Sequence, residues 1–504
     1  MFRRLRADKD CYITNKIING KRVTDANTGQ AGTLDLFKLS NESVSGSFTG
    51  STIELSRLLV HFDLDPLREL TGSILDFTDN SFKALLKMND VFGGQTIPSN
   101  FTLIAYPLSK NFNEGNGYDI GLFRDLDSSN FITSSLGTTW SIDGANASGT
   151  LGDSNIDIIE NGNIGNGVQN LFVTQNFSDG TEDLILNVTS IVSATLAGAL
   201  PDFGYRISFS GTQETDDVSR FVKRFTSRHA NDPALRPRLE VFFDDSLQDD
   251  HRNFFFDLTG SLFLNNFHYG NHSNIIFNGQ EVTGANSLLL QISSGSGSTF
   301  FEKFITASQF SVGGNFQTGI YFAEFAIATN ETGSIRNQID LAGSATFSEI
   351  WQSLDGTQGF FTGSLDIKTV RRTAFDGVPS KLNITIRNNL GKYQKTEKVR
   401  FHVFAQNPLE NIRVSKLPFQ RKSLLLKNMY YQIRDSNSGK IQIPFETQNN
   451  GTKLSVHDDG MYFDIFMDDL EVGRNYGIEL RFTELGSTTT LDLDKIGAVF
   501  TVIP

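Results

Sequence analysis

A chain of 504 residues is too long for one ordinary core and predicts about two to four domains. Its 44 Phe and 45 Gly, against 11 Pro and two Trp, are the composition of short strands joined by turns, and a net charge of −13 excludes nucleic acid as the main partner, because phosphate contacts need a basic footprint. Cys11 is the single cysteine, which excludes an intramolecular disulfide and a thiolate zinc site.

In chain order, Met1-Phe2-Arg3-Arg4-Leu5-Arg6 is basic, but Ala7-Asp8-Lys9-Asp10 follows where an export signal needs an apolar run, so no signal peptide is expected. No stretch approaches the roughly 20 apolar residues of a membrane helix. Leu58, Val60, Phe62 and Leu64 share one strand face, with Arg57, Leu59, His61 and Asp63 on the other, until Asp65-Pro66 ends the strand. Between residues 115 and 180 a long Gly/Asn/Asp/Ser-rich section holds Trp140 and predicts short strands and compact excursions at one end of a sandwich. Val188, Ile191, Val192, Leu196 and Ala199 recur at helical spacing, which predicts one helix over 188–199, ended by Pro201 and Gly204. Alternation returns at Tyr205, Ile207 and Phe209, and again at Leu239, Val241 and Phe243.

The acidic run 244–250 is the best linker candidate. Strands are expected at 287–292, 319–327 and 361–367. Alternating sets follow at Leu382/Ile384/Ile386, Val399/Phe401/Val403, Met461/Phe463/Ile465/Met467, Tyr476/Ile478/Leu480/Phe482 and Phe500/Val502. Two regions of roughly 110–130 residues, with turn signals every ten or so, match the scale of immunoglobulin-like sandwiches.

Little here carries reaction chemistry. His268 and His272 have i, i+4 spacing but lie in a turn sequence with no Glu between them. Asp/Gly clusters at 178–183, 216–217 and 457–460 offer hard oxygens, but none has the twelve-residue calcium loop. No dinucleotide, Walker or nucleophile-elbow motif sits between a strand and a helix. No catalytic residue, metal or cofactor is therefore expected, and the chain reads as a non-enzyme. Two kinds of binding residue remain. Trp140 and Trp351 are the candidates for an exposed aromatic platform that binds glycan. Basic residues cluster at 220–238 and again at 413–434, where Lys416, Leu417, Phe419, Arg421, Lys422, Tyr430 and Tyr431 interleave charge with apolar groups as an assembly interface would.

Ile53-Glu54-Leu55-Ser56-Arg57-Leu58-Leu59-Val60-His61-Phe62-Asp63-Leu64, the helix at Thr189 to Val192, the turn Pro201 to Gly204 and the closing Ser227-Arg228…Arg236-Pro237-Arg238-Leu239 together resemble DNRLRE-type jelly-roll modules. The opening Arg6-Ala7-Asp8-Lys9-Asp10-Cys11-Tyr12-Ile13-Thr14-Asn15 and the stretch 23–39 carry a likeness, over the whole chain, by which it resembles uncharacterised virion structural proteins of contractile-tailed marine cyanophages; the likeness is specific to family but not to role. The fold expected is all-β. An N-terminal jelly-roll-like sandwich with a long loop insertion, 1–245, is followed by two smaller immunoglobulin-like β-sandwich domains, 246–367 and 368–504. The resemblance implies a structural component of the virion, in the tail, neck or baseplate, made in a host cytoplasm. Its partners would be other virion proteins in multiple symmetric copies, with no nucleic acid and no membrane insertion; a host-surface glycan is the alternative partner. Charge reversal at Lys416, Arg421 and Lys422 is expected to leave the domains folded and to weaken incorporation into particles. Normal assembly of the triple variant would make the segment a solvated strand face.

Overall fold

The computed structural model describes residues 1–42, 52–121, 124–125, 127–165, 167–295, 300–370, 382–406, 422–458, 460–484, 487–494 and 497–504. The chain is all-β, with 8% helix and 48% strand. It divides into two compact units. The first is Phe2–Glu69 with Phe82–Phe242, and the second joins Met1 and Leu70–Ser81 to Phe243–Pro504. No helix among the described residues is long and apolar enough to cross a membrane.

The N-terminal unit is organised by its first strand, Phe2–Thr14. Its first half pairs antiparallel with Arg238–Phe242, so that Arg3 faces Val241. Its second half pairs with Ile53–Phe62, so that Tyr12 faces Leu58, and the register shifts between Ala7 and Lys9. One strand thus belongs to two ladders of a ten-stranded sheet. Irregularities of this kind bend a strand and let a sheet turn a corner.

The strand Ile53–Phe62 departs from its expected one-sided pattern. Leu58, Leu59 and Val60 are all fully buried, and Arg57 nearly so. The reason is the Gly/Asn-rich section. Leu108, Phe112, Phe131, Trp140, Ala145 and Ile158 form a second core against Cys11, Ile13, Leu55 and Leu59. That section is a cover over the second face of the sheet, not an excursion at one end. Both faces of the central strand are therefore dry.

The expected helix is present but shorter, Thr189–Leu196, burying Ile191, Val192, Ala194 and Thr195. Gly198 ends it, not Pro201. With φ at 75°, Gly198 turns the chain so that the Ala199 amide reaches back to the Ala194 carbonyl at 2.9 Å. Two short helices, Asp65–Arg68 and Arg336–Ala342, lack a sequence pattern long enough to signal them.

In the C-terminal unit, seven strands between Phe254 and Lys368 enclose one core around Leu290, Tyr321, Phe347, Trp351 and Leu365. The phenyl rings of Phe254 and Phe325 stack at 4.8 Å and close it. Beyond it, a four-stranded and a six-stranded sheet face each other. Their inner sides meet through Tyr431 on Phe463 at 4.4 Å and Phe401 against Phe500 at 5.4 Å. Met461, Phe463, Ile465, Tyr476, Ile478 and Leu480 point inward, as their alternation predicts.

The acidic run 244–250 is no free linker. Asp249 donates its amide to Val456 O at 3.0 Å, Val456 donates to Leu247 O at 2.8 Å, and Gln248 bridges Val456 in parallel. Asp244 accepts from Asn450 Nδ2 at 2.9 Å. Asp250 exchanges hydrogen bonds with Ser261 and pairs with Lys427. The run is a strap that ties the sandwich between Phe254 and Lys368 to the chain around Lys427, Asn450 and Val456.

Leu58→Ala removes a side chain that is fully buried between Tyr12 and Ile207. Urea denaturation is expected to show a loss of about 2–5 kcal/mol. A loss below about 1 kcal/mol would mean that this strand is not central to the core.

Candidate functional site

The strap that follows Phe243 leaves Asp249 and His251 beside the strand Ser344–Gln352, at the wall of a cavity of about 980 Å³ in the C-terminal unit. His251 lies between two carboxylates, with Nδ1 2.5 Å from Asp249 Oδ1 and Nε2 3.0 Å from Glu349 Oε1. Trp351 donates its indole N–H to the same Glu349 oxygen at 2.5 Å. Glu349 sits two residues before Trp351 on the buried strand face and is only 1% exposed. Burial works against the charged imidazole, but the hydrogen bonds and charges of Asp249 and Glu349 outweigh it and raise its pKa to about 10.

On another wall, Arg400 grips Asp464 in bidentate fashion, Nε to Oδ1 at 2.8 Å and Nη2 to Oδ2 at 3.0 Å. Lys398 adds a contact at 3.2 Å. Burial would raise the Asp464 carboxyl, yet Arg400 and Lys398 hold it below its ordinary value. The Arg400 guanidinium also lies over the Tyr462 ring at 4.1 Å. Phe267 and Phe361 line the cavity with 57% and 42% of their surface exposed.

These groups recognise better than they react. Both nitrogens of His251 are engaged, and its raised pKa keeps it protonated near neutrality, so it has no lone pair to accept a substrate proton or hold a metal. Glu349 and Asp464 are each consumed by a fixed cation. What stays open is aromatic surface beside paired charge.

The sequence candidates fall in several places. Trp140 is 3% exposed, packed in the second core, with its indole donating to Asn130 O at 2.9 Å. Trp351 is fully buried in the sandwich core, with its ring in the wall of the cavity. Neither offers the exposed platform expected of a glycan binder, because each indole fills the space under a sheet. Tyr431 is 2% exposed and stacked on Phe463, so it is core and not interface. Tyr430 is half-buried, its hydroxyl 3.0 Å from Asn450 Oδ1. Lys422 is exposed at the cavity. Lys416, Leu417, Phe419 and Arg421 lie outside the described residues. Trp351, Lys422 and Tyr431 are thus brought to one cavity, while Trp140 belongs to the N-terminal unit.

The basic stretch 220–238 is spent internally. Arg220 pairs with Asp216, Lys223 with Asp90, Arg224 with Asp35, Arg228 with Glu114 and Arg238 with Glu240, all within 2.9 Å. It is neither a solvated face nor a docking patch. Sequence reading missed Asp249, His251, Glu349, Arg400 and Asp464. One signal was present for Glu349: it interrupts the apolar period of Phe347 and Trp351.

No family model matches the chain, and no curated relative does. Among solved structures it is similar to a titin A168–A169 structure, with 7% identity over 51% of this chain and 95% of that one, at a TM-score of 0.16. It is similar also to the N-terminal four Ig domains of Dscam1, with 8% identity over 44% of this chain and 42% of that one, at a TM-score of 0.13. Scores this low carry no argument, and the all-β assignment rests on the chain's own strands.

Because the His251 pKa is raised above its ordinary 6.5, the stability it contributes is fully present below pH 6.5 and is lost as pH rises through about 10. His251→Ala is expected to cost about 3 kcal/mol at about pH 6, where it strands Glu349 in the core. The deficit should shrink toward pH 10 as the parent chain loses its own proton. Urea unfolding at several pH values checks this, and a deficit independent of pH would contradict it.

Proposed function

We propose that the chain is a non-enzymatic structural component of a tailed phage particle, in the tail, neck or baseplate region, acting through contacts with other protein chains. The observation that carries this reading is the apolar surface of the sandwich between Phe254 and Lys368. Phe267, Tyr269, Ile276, Phe304, Phe316, Leu341 and Phe361 are between 42% and 93% exposed. Single exposed apolar residues are ordinary, but aromatic rings at this density on one small domain favour cover by another protein. Aromatic residues with a polar surround are also what protein interfaces enrich.

Two further features support the reading. The charges in the cavity neutralise one another, which suits a scaffold more than a reaction centre. The resemblance carried by residues 6–15 and 23–39 is to proteins of virions. Quantitative mass spectrometry of purified particles is expected to find this chain in a fixed, multiple copy number. Finding it only in the free lysate and absent from particles would overturn the proposal.

A further inference from the structure

Three segments far apart in sequence meet in the N-terminal unit. Asp10 comes from the strand Phe2–Thr14, Glu114 from the irregular chain beyond the strand Phe101–Pro107, and His229 from the turn after the strand Arg220–Thr226. One ligand atom from each lies within 4.8 Å of the other two. We infer that Asp10, Glu114 and His229 form a binding site for one divalent transition-metal ion, Zn²⁺ by the nature of the ligands.

The second observation is the state of Asp10. Its side chain is 1% exposed, and Oδ2 accepts the Arg228 amide at 2.6 Å. Oδ1 is sealed from solvent and has no hydrogen-bond partner. A buried carboxylate oxygen without a donor is costly, and a cation held by the Asp10 carboxylate would offset that cost.

The surroundings are those of a prepared ligand set. Arg228 clamps Glu114 through Nε and Nη2, both at 2.6 Å, and the Asp10 amide donates to Glu114 Oε1 at 3.0 Å. Partners of this kind orient the groups that hold a metal. Glu114 Oε2 keeps one lone pair beyond those bonds. His229 Nε2 is 3.4 Å from Glu114 Oε1, and its ring is 26% exposed, which leaves a path for the ion and for a water as fourth ligand. Atoms no more than 4.8 Å apart can all reach an ion at about 2.0–2.2 Å with shifts of under about 1 Å. Imidazole with two carboxylates suits zinc better than calcium or magnesium, which prefer all-oxygen shells. Bound there, the ion would clip together segments 104 and 115 residues apart.

The test uses the purified full chain, stripped with EDTA and titrated with ZnCl₂ by calorimetry, with thermal unfolding measured alongside. One saturable site and a raised Tm are expected. His229→Ala and Asp10→Asn should each weaken Zn²⁺ binding by more than about tenfold and abolish the rise in Tm. A His268→Ala, His272→Ala double variant, which alters an exposed hairpin, should keep both. Should Asp10→Asn fail to fold, His229→Ala decides alone, since its side chain lies at a surface turn. Absence of saturable Zn²⁺ binding to the parent chain, or binding that survives His229→Ala unchanged, would overturn the site.

Discussion

The strand Phe2–Thr14 spends its hydrogen bonds on two different partners, Arg238–Phe242 over one half and Ile53–Phe62 over the other, and the N-terminal unit closes around that division. Each pairing joins chain that is distant in sequence, and the first unites residues more than two hundred apart. Everything between must then be laid over the faces that these ladders leave open. The helix Thr189–Leu196 covers apolar side chains on one side, and the section holding Phe131 and Trp140 covers the other. A central strand dry on both faces is the consequence. It explains why Arg57 has to be carried inward, with its guanidinium held by Glu214 at 2.7 Å and by the Gly144 carbonyl at 2.6 Å.

Internal ion pairs recur throughout the described chain. Lys38 is fully buried, and its ammonium donates to Asp216 Oδ1 at 2.7 Å and to the Asp216 and Val218 carbonyls. Lys223 is 1% exposed and satisfies its three donors on Asp90, Gly180 and Glu182 at 2.6–2.8 Å. Such pairs add little net stability over an apolar core, because taking both charges out of water costs nearly what their attraction returns. Breaking one is expensive, so they fix which loop meets which strand.

The C-terminal unit uses the same device at its strap. Each carboxylate of residues 244–250 meets a donor, Asp244 on Asn450, Asp245 on the Met1 ammonium, Asp249 on His251 and Asp250 on Ser261 and Lys427. His251 extends the network into the sandwich core through Glu349 and the Trp351 indole. The aromatic surface of that sandwich follows from composition. With Phe so abundant, the inner positions are filled, and rings such as Phe304 and Phe361 remain outside.

The all-β class, the strand positions in the last region and the one amphipathic helix were legible in the residues, because alternation and 3.6-residue periodicity are local and each reports the face that meets a core. Met461, Phe463, Ile465 and Tyr476 needed no more than that. The tertiary structure alone decided what covers the other face. Leu59 and Arg57 sit on a face that looks half-polar, and distant chain makes it dry. The acidic run looks like a linker until Val456 and Asn450 arrive beside it. The arginines of 220–238 look like a patch until their carboxylates, up to 189 residues away, are placed. The physical reason is common to all three: local pattern carries a residue's demand for burial or for a partner, and only the closed fold supplies which distant group meets it.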